Sequence, residues 1–217
     1  MSRVRTRPTR DDTREKLFEA AARVFEEQGI GGASIEAIAA AAGFTRGAFY
    51  SNFKSKDELI IAMLEDHVEQ SILRIRDLLE KHKNLADFID ALKTMNRSQQ
   101  DPLGRSPLLH MEMILFVARA EKRRPELAKR LRARRKLVTD IIETTARNSG
   151  RTTILNPTWA GALVLALEDG FRLHRLIDPE TTPSDSFFRA IGDLQRTMGI
   201  SSAWAGIIRL AQVIMNR

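Results

Sequence analysis

An all-α fold is predicted for this chain of 217 residues by three observations. Apolar residues recur every three or four positions over long segments, the spacing that gives a helix one buried face. Ala, Leu, Arg and Glu are abundant, and few runs of Val, Ile and Thr alternate with polar residues as a half-buried strand requires. Ser, Thr, Gly and Pro fall at the ends of the periodic segments, where helices start and stop. A hydrophobic content of 43% is enough for a substantial core, as one larger domain or two small ones.

The first helix is expected from about Asp12 to Gln28, with Leu17, Ala21, Val24 and Phe25 on one face and Gly29 at its end. Asp11, Asp12 and Glu15 suit its positive N-terminal end. Ser34 is placed to cap a short second helix whose buried face is Ile35, Ile38, Ala39 and Ala42. Gly43 breaks that helix, because glycine tolerates the positive φ of a tight turn. Phe44 plugs the turn, and Thr45 caps a third helix running through Ala48, Phe49 and Phe53. Those three face inward, leaving Thr45, Arg46, Gly47, Tyr50 and Asn52 toward solvent. Two helices joined by a short glycine turn form a helix-turn-helix, whose second helix enters the major groove of DNA by its N-terminus.

Ser55-Lys56-Asp57-Glu58 reads as a capping box, with Glu58 reaching back, and opens a long fourth helix. Ile60, Leu64, Val68, Ile72, Ile75 and Leu79 carry it to about His82, with no Pro- or Gly-rich linker. A fifth helix is expected over residues 85–97, then a loop SQQDPLGRSP, then a sixth helix through Leu109, Met113, Phe116 and Val117. Pro125 suits the first turn of a seventh helix that ends near Asn148. Residues 157–177 form a helix apolar nearly all round: Trp159, Leu163, Leu167 and Phe171 share one side, while Val164, Leu165, Leu173 and Leu176 cover the other. Such a helix is buried on two sides, and a second copy of the chain is the economical second partner. Helices over 184–198 and 202–216 complete the chain.

A net charge of +7 suits a polyanionic partner. Arg3, Arg5, Arg7, Arg10 and Arg14 form a basic N-terminal arm that either follows a DNA backbone or stays a solvated tail. The second basic cluster, residues 119–136, reads as the solvated face of a long helix. With no cysteine, disulfides and thiolate metal sites are excluded, in keeping with a reducing cytoplasm. His67, His82, His110 and His174 are scattered without metal-ligand spacing. No nucleophile elbow or phosphate-cradling glycine loop points to an enzyme, and no metal or cofactor is expected. No secretory signal or membrane span is recognisable.

The stretch GASIEAIAAAAGFTRGAFYSNFKSKDEL, preceded by TREKLFEAAARVFEEQGIGGAS, resembles the DNA-binding domain of the TetR/AcrR family of bacterial transcriptional regulators. The resemblance covers roughly residues 11–65 and rests on Phe49-Tyr50, Phe53, Lys54 and Lys56-Asp57-Glu58-Leu59. It implies a basic arm at 1–10, a helix-turn-helix domain at 11–56 and a helical effector-binding and dimerisation domain at 57–217. It further implies a homodimer built on helices near 157–177 and 184–198, with 202–216 extending beyond the usual family length.

Base reading needs flexible polar groups in the first turn of the recognition helix. Arg46 suits a bidentate bond to guanine, and Thr45 suits a thymine methyl or a base edge. Gly47 lets the backbone approach closely. Tyr50 and Lys54 suit phosphates, and Ser34 and Asn52 complete the candidate DNA-binding set. Candidate effector contacts are Met63, Phe88, Leu92, Met95, His110 and Met113, with Ile114, Phe116, Trp159, Leu163 and Phe171. Each also reads as plain core, and Met-rich walls adapt to varied apolar molecules. The expected function is a ligand-responsive regulator, by resemblance a repressor that a small apolar or amphipathic effector releases from a palindromic operator. An activator, a helical dimer that has lost operator binding, and an enzyme are the competing readings.

Overall fold

The computed structural model describes residues 9–82, 87–88, 90–91, 94, 102–122, 124–148 and 156–197. Among them the elements with defined bounds are helices: α1 (Arg10–Gly32), α2 (Ile35–Ala41), α3 (Arg46–Tyr50), α4 (Lys56–Lys81), α5 (Pro102–Arg105), α6 (Pro107–Arg119), α7 (Arg124–Asn148), α8 (Pro157–Ile177) and α9 (Ser186–Thr197). The described residues contain no strand. They form two compact units: Met1–His67 with Gln100–Leu127, and Val68–Gln99 with Ala128–Arg217.

The first unit is built on α1. Thr9 caps it with a reciprocal box, its hydroxyl accepting from the Asp12 N–H at 3.1 Å while the Asp12 carboxylate accepts from the Thr9 N–H at 2.9 Å. Those bonds, the Thr9 side chain first and its backbone second, hold the Asp12 carboxyl below the usual carboxylate range. The box starts the helix at Arg10, two residues before the periodicity suggests, because a cap is set by hydrogen bonds rather than by a buried face. Gly29, at φ 70°, interrupts the helical backbone, so the regular part of α1 ends where the sequence predicts.

Leu17, Ala21, Val24 and Phe25 are buried as expected, and Phe18 joins them. The face packs on α2, α5 and α6, the last supplying Leu109, Met113 and Val117 to the core. Each fully buried aliphatic side chain contributes about 1.5–3 kcal/mol relative to exposure. Part of the expected loop is thus the helical turn α5, and its Arg105 bridges to Glu19 of α1 at 2.6 Å. His67 and His110 are both buried with ring centroids 4.6 Å apart, which makes His110 a core residue.

In the second unit α7 lies against α8. A Cβ on Gly161 would stand 2.5 Å from the Arg135 carbonyl oxygen, so only glycine permits this approach. Two turns on, Glu168 accepts from Arg134 at 2.8 Å and from Arg172 at 2.9 Å. Arg134 is thereby an exception to the solvated basic face: most of the described members of that cluster are exposed, but Arg134 is buried, with Nε unpartnered.

The residues of α8 that meet α7, Gly161 and Glu168, lie on the side opposite Trp159 and Leu163. Trp159 is 67% exposed and Leu163 44%, so among the described residues neither is part of the buried core. The physical reason is register: glycine and alanine at 160–161 turn the small side of the helix inward and the indole outward. Residues 1–8, 92, 95 and 202–216 lie outside the described residues, and with them most of the arm, Leu92, Met95 and the last expected helix.

Candidate nucleic-acid interface

Three local devices shape the helix pair. Ser34 accepts from the Ala37 N–H at 3.0 Å and Thr45 from the Ala48 N–H at 3.3 Å, so both caps form as predicted. Between them Gly43 takes φ 73°, and the N–H groups of Phe44 and Gly43 bond back to Ala39 and Ala40 at 2.9 and 3.0 Å. That pairing closes α2 as a Schellman turn, for which the left-handed residue is normally glycine.

The third helix is shorter than predicted. It ends at Tyr50, and Phe53 is reached through a turn whose N–H bonds to the Phe49 carbonyl at 2.9 Å. Phe53 is nonetheless buried beside Phe49 and stacks on Phe18, ring centroids 5.8 Å apart in each pair. The Arg14 guanidinium lies 4.9 Å from the Phe53 centroid, so this member of the expected arm covers the aromatic core from within α1.

Thr45, Arg46, Gly47 and Tyr50 are exposed on one surface. Arg46 does not hang free: its Nη1 pairs with Glu36 at 3.0 Å, its Nη2 donates to the Tyr50 hydroxyl at 3.4 Å, and its plane stands 5.4 Å from the Tyr50 ring. The Tyr50 hydrogen bond first and the Glu36 charge second raise the Arg46 pKa above its ordinary value, so it stays a cation at any working pH. Asn52 departs from the expected pattern. Its amide is half-buried and donates to the Ala48 carbonyl at 2.9 Å, because the chain has already left the helix and turned the side chain inward.

At the start of α4, Ser55 accepts from the Glu58 N–H at 3.1 Å, as a capping box requires. The Glu58 carboxylate, however, takes the N–H of Lys54 at 2.7 Å, one residue earlier than the usual partner. This bond fixes the backbone of Lys54 while its side chain is exposed.

Lys56 is the structural residue that sequence reasoning missed. Its ammonium donates to the carbonyls of Ile30 at 2.7 Å and Ala33 at 2.8 Å, clasping the end of α1 to the start of α4 around the helix pair. Nothing in the local sequence announces it, since the bond spans 26 positions. Lys56→Met should cost about 2 kcal/mol in urea unfolding, the loss of charge-assisted bonds to carbonyls that remain part-buried. A change within about 0.5 kcal/mol, the ordinary range of a surface substitution, would make the clasp incidental.

Residues 17–63 match the bacterial regulatory proteins of the tetR family. Residues 84–196, more than half of the chain, match the tetracyclin repressor-like C-terminal domain. The chain belongs to the TetR family. Among relatives of this TetR-family protein, the HTH-type transcriptional regulator TtgR of Pseudomonas putida is 34% identical over 93 residues. That match covers 43% of the chain and 42% of TtgR, so it spans less than half of the relative's length.

The fold is shared with the TetR-family regulator from Cytophaga hutchinsonii, at a TM-score of 0.69 and 21% identity over 91% of this chain and 99% of that one. It is shared also with the regulator FadR from Bacillus subtilis in complex with stearoyl-CoA, at a TM-score of 0.62 and 15% identity over 87% and 97%. Members of the TetR family are DNA-binding transcriptional regulators, in general ligand-responsive and dimeric, and not enzymes. Among the described residues no helix is long and apolar enough to cross a membrane, and no three metal-ligating side chains converge.

Proposed function

We propose that this TetR-family protein is a cytoplasmic homodimeric repressor, released from a near-palindromic operator by a small apolar or amphipathic effector. The observation that carries the reading is the exposed row Thr45, Arg46, Gly47 and Tyr50, presented by a helix whose other side is sealed by Phe49. Lys54 and the Ser34 hydroxyl flank the row and suit phosphate oxygens. The proposed head spans residues 11–56 and the effector and dimer region 57–217.

Dimerisation is supported by α8. Trp159, Leu163, Leu173 and Ile177 are exposed, and at about 100° per residue they fall within one narrow stripe. A second copy brought against that stripe, with α9 beside it, would remove these side chains from water. Two recognition helices would then meet successive major grooves about 34 Å apart. Within the first unit Met63 and Met113 are buried and Ile114 and Phe116 half-buried, which suits an apolar ligand among them. A stearoyl-CoA complex of the fold relative FadR is consistent with an amphipathic effector. Such a ligand acts only through its differential affinity for the operator-competent and incompetent states.

Selection from random duplex DNA at two salt concentrations tests the reading. An enriched palindrome supports it, whereas no enrichment, or binding abolished by modest salt, would defeat it. On the selected operator, Arg46→Ala should lose about 1–3 kcal/mol of discrimination at one base pair per half-site. Tyr50→Phe should weaken all sequences by a similar factor, since it removes a phosphate contact. If Arg46→Ala leaves sequence preference unchanged, the assignment of Arg46 to a base is wrong.

A further inference from the structure

Glu36 carries no mark of function in the sequence, where an acidic residue in the first turn of a helix is ordinary compensation of the helix dipole. Its place in the structure is more specific. The Glu36 carboxylate, on the first turn of α2, meets the Arg46 guanidinium, on the first turn of α3, at 3.0 Å. Both side chains are more than half exposed, so the pair adds little to stability. What it does is hold a long, rotamer-rich cation in one place, with Tyr50 against the guanidinium face. Two of the five N–H groups of Arg46 are engaged, by Glu36 and by the Tyr50 hydroxyl, and three remain for another partner.

We propose that Glu36 and Arg46 together read a single G·C base pair, Arg46 donating to guanine O6 and N7 while Glu36 accepts from the N4 amino group of the paired cytosine. The inference rests on the DNA-reading assignment of α3 and adds Glu36 to it. In the major groove a G·C pair presents acceptor, acceptor and donor in that order across its edge. The side-chain pair presents donors on Arg46 and an adjacent acceptor on Glu36, the complementary order.

An A·T pair keeps the N7 acceptor but sets its N6 donor against the guanidinium and its O4 acceptor against the carboxylate, so two of the three contacts turn repulsive. Glu36 also bears on binding that ignores sequence. A carboxylate brought up to DNA is repelled by the phosphates unless it finds a base donor, and by pairing Arg46 it keeps that cation from settling on any nearby phosphate. The wrong sequence is therefore disfavoured as well as the right one favoured.

The test uses the full chain and the operator selected from random duplexes. At the G·C pair where Arg46→Ala relaxes preference, the cytosine is replaced by a 2-pyrimidinone nucleotide, which keeps two of the three Watson–Crick hydrogen bonds but lacks the N4 amino group, and the affinity of Glu36→Ala for the same duplex controls for the weakened pair. The unmodified protein should lose on the order of 10-fold in affinity per substituted half-site. Glu36→Ala, checked by thermal melting to be folded, should bind the intact operator more weakly, gain affinity for random duplex, and be indifferent to the missing amino group. If the protein binds the amino-less operator undiminished, or Glu36→Ala keeps full preference at that pair, the role of Glu36 is overturned while the DNA-reading assignment stands. If the unmodified protein enriches no operator at all, that assignment fails and this inference with it.

Discussion

Phe49→Ala should destabilise the first unit by about 3–5 kcal/mol, the range for emptying a fully buried phenylalanine site. Phe49 is 0% exposed and touches both neighbouring aromatics, with centroids 5.7 Å from Tyr50 and 5.8 Å from Phe53. Phe53 in turn stacks on Phe18 of α1, under Arg14. The helix that carries Phe49 has five residues, far below the length at which an isolated helix holds its shape. Its orientation therefore depends on this one aromatic anchor, and losing the anchor should cost DNA affinity together with stability. Urea unfolding read at an unchanged m-value separates the stability term. Tyr50→Phe is the control: its side chain is exposed, so it should leave the urea midpoint in place. A Phe49→Ala loss below about 1 kcal/mol, well short of the cavity range, would mean that α3 is held by something other than its aromatic side.

Glu168→Ala should have the second large effect, about 3 kcal/mol or more, because it strips the carboxylate from a buried guanidinium. The Arg134 side chain is only 10% exposed, and it meets Glu168 at 2.8 Å. Its Nε already lacks a partner, so no spare acceptor stands ready there to replace the carboxylate. Replacing both residues, Arg134→Met with Glu168→Leu, removes the buried Arg134 charge along with its pair, so it should cost less than Glu168→Ala alone, the remaining loss being the Arg172 contact to Glu168 at 2.9 Å. Thermal and urea unfolding of the two single variants and the double variant form a cycle that reads this coupling. Additive losses in the double variant would mean that each side chain acts by packing alone, not as a charge pair.

The helix-turn-helix is legible in the sequence because its devices are local. A cap joins residues three apart, as Ser34 to Ala37 and Thr45 to Ala48, and a left-handed turn requires only its glycine. The same locality makes the Thr9–Asp12 box readable in principle, although the periodic signal that marks α1 begins only after it. The end of α3 is less legible, since Phe49 and Phe53 are spaced as a helix would space them. Only the turn at Ser51 and Asn52 shows that the backbone has left the helix and drawn the Asn52 amide inward.

The sequence by itself determined the helical class, the order and approximate bounds of the described helices other than α5, and the exposed row on α3, because periodicity, capping and turn chemistry act within a few residues. Only the tertiary structure decided that Lys56 clasps the end of α1, that Arg134 is drawn out of a basic face to meet Glu168, that α5 and α6 join α1 in one unit, and that Glu36 holds Arg46. Trp159 and Leu163 belong with these: their apolar character is plain in the sequence, but the side of α8 they occupy depends on Gly161 meeting α7. Each of these facts joins residues distant along the chain, and the chemistry of an isolated side chain carries no record of which distant group packing will bring against it.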